Sequence, residues 1–304
     1  MARTTARVDV CVCTHDPRRD VLAVVLRAIA AQTAPRGDLA VIVVDNASAR
    51  PLGDAALAPL RVAGVAHRSI REDRLGNAFA RARALRESTA PIAVFIDDDN
   101  ELAPDYVARA VAALDADATL GCIGGRILRA PGVVVPRWLE PLRAYIGLRD
   151  DAGDAPLTAV VRAGWSAAVP PTAGMALRRA VAELFVEVVA ADGGAAVAGI
   201  GRVGHRGLGS CEDLLLARLA GRRGLACGYR PELVLHHHLD PRRFELGYLV
   251  RLMFGQGASE ARVDRLLGWR RDPVDWRAAG ALVRDPRVAL LLAARAAGRR
   301  YATR

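Results

Sequence analysis

Three short apolar runs in the first hundred residues each stop on polar side chains. Residues 8–13 (VDVCVC) end at Thr14 and His15, residues 39–44 (LAVIVV) at Asp45 and Asn46, and residues 92–96 (IAVFI) at Asp97, Asp98 and Asp99. Runs this short, rich in β-branched residues, suit strands buried on both faces. Helical spacing fills the gaps: residues 21–31 follow an Asp16-Pro17 start, and 76–87 and 104–114 read as further helices. Residues 62–67 and 120–128 read as two more strands. This alternation specifies an α/β chain with a Rossmann-like, mostly parallel sheet and helices on both faces. Ligands of such sheets bind at the carboxyl ends of the strands, where the three polar endings would converge. Turn and N-cap chemistry is the alternative use of strand-terminal acids.

Beyond residue 125 the pattern loosens. Residues 130–175 are rich in Pro and Gly, contain Trp138 and Trp165, and read as irregular walls over the sheet, where substrate loops belong. A helix over 211–221, a strand near 233–238 and a helix near 244–254 follow. The expected organisation is one domain over 1–268, with a nucleotide-binding half at about 8–125 and an acceptor half at about 126–268. A basic helical tail covers 269–304.

The acidic run narrows the chemistry. An EF-hand loop counted from Asp97 would need Gly at its sixth position and an acid at its twelfth, where Leu102 and Ala108 stand. A phosphoaspartyl site would want a threonine where Glu101 stands. An Asp-x-Asp clamp of Asp97 and Asp99 for a hard divalent cation, Mg²⁺ or Mn²⁺, remains. Such ions take one or two protein carboxylates and complete their shells with substrate phosphates.

Composition excludes other classes. None of the 304 residues is lysine, which rules out a P-loop lysine and a Schiff-base lysine together. Five cysteines, an odd number with no Cys-x-x-Cys pair, fit reduced thiols in a cytoplasmic protein. The N-terminal apolar run is too short for a signal peptide, and no stretch reaches the ~18–20 apolar residues of a membrane span. Of the net charge of +10, residues 269–304 supply a surplus of six, nine arginines against Asp272, Asp275 and Asp285. With Trp269, Trp276 and the apolar run 288–294, this tail suits peripheral contact at the inner membrane face. A helical pair packed on the domain, or a homo-oligomer contact, is the alternative. No recognised motif accompanies the charge, so nucleic acid is not expected as a partner.

Taken in order, CTHDPRRDVLAVVLRAIAAQT, VIVVDNAS, RLGNAFARARAL, FIDDDNEL, TAGMALRRAV, LGSCEDLLLARLAGRRG, PELVLHHHLDPRR and FGQGAS resemble a family 2 glycosyltransferase of bacterial polysaccharide type, over roughly residues 8–260. The resemblance implies a GT-A fold and transfer of a sugar, with inversion, from a nucleotide-diphosphate-sugar donor. The acceptor would be a hydroxyl of a glycan, a lipid-linked glycan or a small molecule. It further implies that Thr14, Asp45, Arg74, Asn77, Asp97 and Asp98 bind the nucleotide. Asp99 and His237 would meet the metal, Mn²⁺ or Mg²⁺, with Glu212 on the acceptor side and Asp213 as catalytic base. Ser210-Cys211-Glu212-Asp213 is equally a helix capping box. Neighbours on a strand point to opposite faces, so His236, His237 and His238 cannot all ligate one ion. A non-catalytic sugar-nucleotide binder and a nucleotidyltransferase are the competing functions.

Overall fold

A computed structural model describes residues 6–150, 153–203, 207–269 and 285–303. The strands are β1 (Val8–Thr14), β2 (Leu39–Asn46), β3 (Ala66–Glu72), β4 (Ile92–Asp97), β5 (Asn100–Leu102), β6 (Leu120–Arg129), β7 (Leu157–Ala159), β8 (Ala176–Arg178), β9 (Arg202–Val203), β10 (Gly207–Leu208) and β11 (Ala226–His237). The helices are α1 (Arg19–Ala30), α2 (Ala58–Val62), α3 (Asn77–Glu87), α4 (Tyr106–Ala116), α5 (Arg179–Ala190), α6 (Glu212–Arg222), α7 (Leu246–Leu266) and α8 (Pro286–Thr303). The main sheet runs β3-β2-β1-β4-β8-β6-β11-β5, with β7 on the free part of β11, and β9 and β10 form a separate hairpin. Strands β3, β2, β1 and β4 pair in parallel, as do β6 and β11; the short β8 is antiparallel to both of its neighbours.

Alternation along the strands sorts the core into two layers. Val8, Val10 and Val12 of β1 pack with Leu22, Leu26 and Ile29 of α1 and Val107 and Leu114 of α4. Cys11, with Ile42 and Val44 of β2, packs on the other face against α3, α5 and α6. Apart from Asp9 and their polar ends, β1, β2 and β4 are therefore apolar because both of their faces are covered.

Three sequence expectations change. Residues 58–62 are helical, and the strand expected at 62–67 lies instead at 66–72. It is the edge strand β3 (AHRSIRE), mostly in contact with water, so it carries no apolar run to find. Helix α5, left unassigned by the sequence reading, covers the sheet with Val181, Phe185 and Val189. The helix expected near 244–254 runs on to Leu266 through Gly255 and Gly257. Those glycines mark close approaches rather than a stop: a Cβ would lie 2.4 Å from the Leu208 carbonyl oxygen at Gly255 and 2.0 Å from that of Arg295 at Gly257.

The described part of the tail, α8, packs along α7. Gly298 lets the backbones meet, since a Cβ there would fall 2.0 Å from the Phe254 carbonyl oxygen. Buried Glu260 and Asp264 of α7 take Arg299 at 2.8 and 3.2 Å, and Arg218 of α6 reaches Asp264 at 2.7 Å. Arg295 also pairs with Glu260. Two of the tail arginines thus face inward. Trp276 and the arginines Arg270, Arg271, Arg277, Arg284 and Arg304 lie outside the described residues.

Candidate active site

Parallel pairing brings the strand ends together: Thr14 lies beside Asp45 on β2, and Cys13 beside Asp97 on β4. The Thr14 hydroxyl donates to the Asp98 carboxylate across the gap. The Asp98 carboxyl is pushed up to about 7, first by burial and then by the Asp99 charge, with the Thr14 donor pulling the other way. Burial opposes the Asp99 charge too, yet His237 and Arg243 outweigh it and hold that carboxyl well below the usual carboxylate range. The two acids behave as a pair in which Asp99 keeps the charge.

His237 arrives through a pairing distant in sequence. Strand β11 runs antiparallel to β5 with His237 opposite Asn100, and the His238 amide donates to the Asp99 carbonyl at 2.8 Å. His237 Nε2 then stands 3.3 Å from the Asp99 carboxylate, while Nδ1 lies 3.1 Å from the Gly147 carbonyl oxygen. The neighbouring His238 turns to Glu101 at 2.7 Å, as strand alternation requires. Among the described residues, no group of three or more His, Cys, Asp and Glu side chains is placed to hold a metal. A hard cation here would take Asp99 and His237 and draw its other ligands from substrate or water, a donor set that suits Mn²⁺ or Mg²⁺.

Helix α6 begins at the same cavity. Its N-cap is Cys211, at φ 114° and ψ 15° with no side-chain capping bond, so Ser210 and Asp213 do not form the expected capping box. A non-glycine residue in this region costs on the order of 1–3 kcal/mol and persists only where its surroundings hold it. Glu212 and Asp213 follow in the first turn, and burial raises both carboxyls. Both line the cavity; Glu212 is the more buried of the two, with its carboxylate on Arg81.

One residue that sequence reasoning missed is Arg81. Its guanidinium, 3% exposed, reaches Asp97 at 2.9 Å and Glu212 at 2.7 Å, and so ties the acidic strand end to the helix that carries Asp213. The signal was present: Ala78, Arg81, Ala82 and Leu85 follow the i, i+3, i+4, i+7 spacing of a buried stripe, and only one of them is charged.

Thr14, Asn77, Asp97, Asp98, Asp99, Glu212, Asp213 and His237 all line one cavity of about 640 Å³. Asp45 and Arg74 are not part of that lining. The Asp45 carboxylate accepts from the amides of Ser48 at 3.1 Å and Leu52 at 3.0 Å, the turn chemistry considered for it above. Arg74 pairs with Glu72 at 3.1 Å and lies over the Phe79 ring. Asn46, which was given no role, secures the entry to α3 by donating to the carbonyls of Glu72 and Arg74 and accepting from the Gly76 amide.

The open α/β sheet, with strand ends and one helix start crowding carboxylates into a single cavity, has the GT-A fold of solved glycosyltransferases. The Glycosyl transferase family 2 profile matches residues 9–184, more than half of the chain, and the chain belongs to that family. It is similar to the succinoglycan biosynthesis protein ExoM of Rhizobium meliloti, 27% identical over 276 residues that cover 86% of this chain and 77% of that protein. The mannosyltransferase PcManGT of Pyrobaculum calidifontis, solved with GDP-Man and Mn²⁺, shares the fold at a TM-score of 0.54 and 21% identity, covering 98% of this chain and 84% of its own. The 1–349 portion of S. aureus TarS also has a TM-score of 0.54, at 16% identity, covering 86% of this chain and 69% of that one.

Proposed function

We propose that the chain transfers a sugar from a nucleotide-diphosphate-sugar to a hydroxyl acceptor with inversion, assisted by Mn²⁺ or Mg²⁺. The observation that carries this is the shared cavity: the Asp99–His237 pair and the Asp213 carboxylate face one volume, with Arg81 fixing the spacing between their supports. A divalent cation on Asp99 and His237 would balance the charge that gathers on the leaving diphosphate. Thr14 and Asp98 border the donor end. Asp213, with its proton affinity raised by burial, takes the acceptor hydroxyl proton on the opposite side. Its backbone mount on a strained helix start limits drift of that carboxylate.

The likeness to the succinoglycan biosynthesis protein ExoM supports a place in polysaccharide biosynthesis, and the acceptor we propose is a hydroxyl of a glycan, a lipid-linked glycan or a small molecule. Among the described residues no helix is long and apolar enough to cross a membrane, which is compatible with a cytoplasmic site of action. Peripheral membrane contact through the tail would appear as salt-sensitive binding to anionic but not neutral vesicles.

The test is a panel of nucleotide sugars with and without Mn²⁺, with the released product identified. A nucleoside diphosphate and an inverted anomeric centre are expected; released inorganic diphosphate would point to a nucleotidyltransferase. Asp213→Asn should keep donor binding and lose transfer by ~10²-fold or more. A wild-type rate in that variant would remove Asp213 from the mechanism, and binding without turnover by the native chain would favour the non-catalytic reading.

A further inference from the structure

The cation seat proposed above already has a cationic tenant. After β11 the chain turns through a short 3-10 segment, Pro241–Phe244, capped by Asp240. Arg242 is drawn outward by the Asp240 carboxylate at 2.6 Å and stays largely in water. Arg243 points the other way. One of its terminal nitrogens lies 3.0 Å from Asp99 Oδ2 and the other 3.1 Å from His237 Nε2.

Hydrogen-bond roles make this contact exclusive. The Gly147 carbonyl can only accept, so His237 Nδ1 carries the proton. A guanidinium can only donate, so in the neutral ring, the form that a metal ion needs, its contact falls on the Nε2 lone pair. A neutral imidazole has one such lone pair, in the ring plane, and Arg243 uses it. The Asp99 oxygen nearest His237 is the one that Arg243 holds. A divalent ion binding Asp99 and His237 would need the same oxygen and the same nitrogen lone pair. Both cations cannot use that lone pair together.

We propose that Arg243 is a resident competitor for the divalent-ion seat, occupying the Asp99–His237 pair until the ion displaces it. This rests on the reading of Asp99 and His237 as metal ligands. The guanidinium supplies the buried Asp99 carboxylate with an opposite charge beside its contacts to His237 and Asn100. It also raises the threshold for free metal, because the ion must break two charge-assisted contacts before it binds. The released side chain stays in the cavity, which it already lines, and its charge is then available to an anionic donor. Metal alone should therefore bind weakly, and metal with a nucleoside diphosphate much better.

The test measures Mn²⁺ alone on the full chain by electron paramagnetic resonance of the free ion, without any turnover. Arg243→Gln should bind Mn²⁺ more tightly than the native chain by ~10-fold or more, the worth of one hydrogen bond to a charged group. Arg202→Gln is the control. Arg202 acts on Asp99 through its charge, so its loss should tighten Mn²⁺ much less than loss of Arg243. If Arg243→Gln fails to fold, Arg243→Lys serves, since an ammonium keeps the charge without the two-pronged grip and should give an intermediate gain. Guanidinium ion added back to Arg243→Gln should weaken Mn²⁺ again. Equal or weaker Mn²⁺ binding in both Arg243 variants, or an equal gain in Arg202→Gln, would overturn the competition. Native-like Mn²⁺ binding by Asp99→Asn would instead overturn the seat itself, and the metal reading with it.

Discussion

Arg81→Met isolates what one buried cation contributes to this fold. The side chain is 3% exposed and faces two carboxylates, Asp97 at 35% and Glu212 at 4% exposure. Methionine conserves most of the volume, so the loss is chiefly of charge and hydrogen bonds. Asp97 can rehydrate through the cavity, but Glu212 cannot. Removing one partner of a buried pair typically costs ~3–5 kcal/mol, nearly all of it from the charge left behind. The expected loss at neutral pH is therefore about 3 kcal/mol, carried by Glu212 rather than Asp97. Burial already raises the Glu212 carboxyl against the pull of Arg81, and without Arg81 the rise must be larger. A carboxyl whose folded pKa exceeds its unfolded value binds its proton more tightly in the folded state. The penalty should then be full above the folded pKa and shrink as pH falls through it. Denaturant unfolding of the native chain, Arg81→Met, Glu212→Gln and the double variant would measure this. The double variant should be little worse than Glu212→Gln alone. If the two single losses add to within ~0.5 kcal/mol, Glu212 is not the stranded partner and the reasoning fails.

Because burial raises Asp213, the acidic limb of kcat against pH should fall above the ordinary aspartate range near ~4, with rate lost as the base is protonated. A limb at or below that range would separate Asp213 from proton transfer. Gly298→Ala places a methyl 2.0 Å from the Phe254 carbonyl oxygen and should cost ~1–3 kcal/mol by forcing α8 off α7. Gly37→Ala, with nothing within 4 Å, is the matched control and should be close to neutral in thermal unfolding.

The strand ends were legible because the information is local: an apolar run and its polar stop lie within ten residues of each other. That placed Thr14, Asp97, Asp98 and Asp99 at one end of one sheet. Alternation separated His237 from its two neighbours without knowledge of the partner strand, while the choice of His237 among the three came from the family resemblance. What a strand-terminal acid does with its oxygens was not legible. Asp45 spends its carboxylate on amides three and seven residues ahead, and only backbone geometry decides that. Glycine in α7 was ambiguous for a similar reason, since close approach by Arg295 is a tertiary fact.

Buried charges form a third category, present in the sequence but readable only in pairs. Arg81 lies on the core stripe of α3, Glu212 heads α6, Arg218 follows within α6, and Glu260 and Asp264 sit one turn apart on the buried face of α7. Read singly, each is an exception to its helix's pattern. A buried charge is tolerable only when paired, so each exception demands an opposite one elsewhere. The structure pairs Arg81 with Glu212 and Arg218 with Asp264, and gives Glu260 its partners Arg295 and Arg299 from α8. These pairs connect α3 to α6, α6 to α7 and α7 to α8, so the helix that positions Asp213 is held from both sides by ions. A rule that matched off-pattern charges between helices would have found Arg81 and the inward face of α8 without coordinates. It would not have found Arg243, whose partners are Asp99 in the turn between β4 and β5 and His237 at the end of β11, and whose segment has no periodicity to violate.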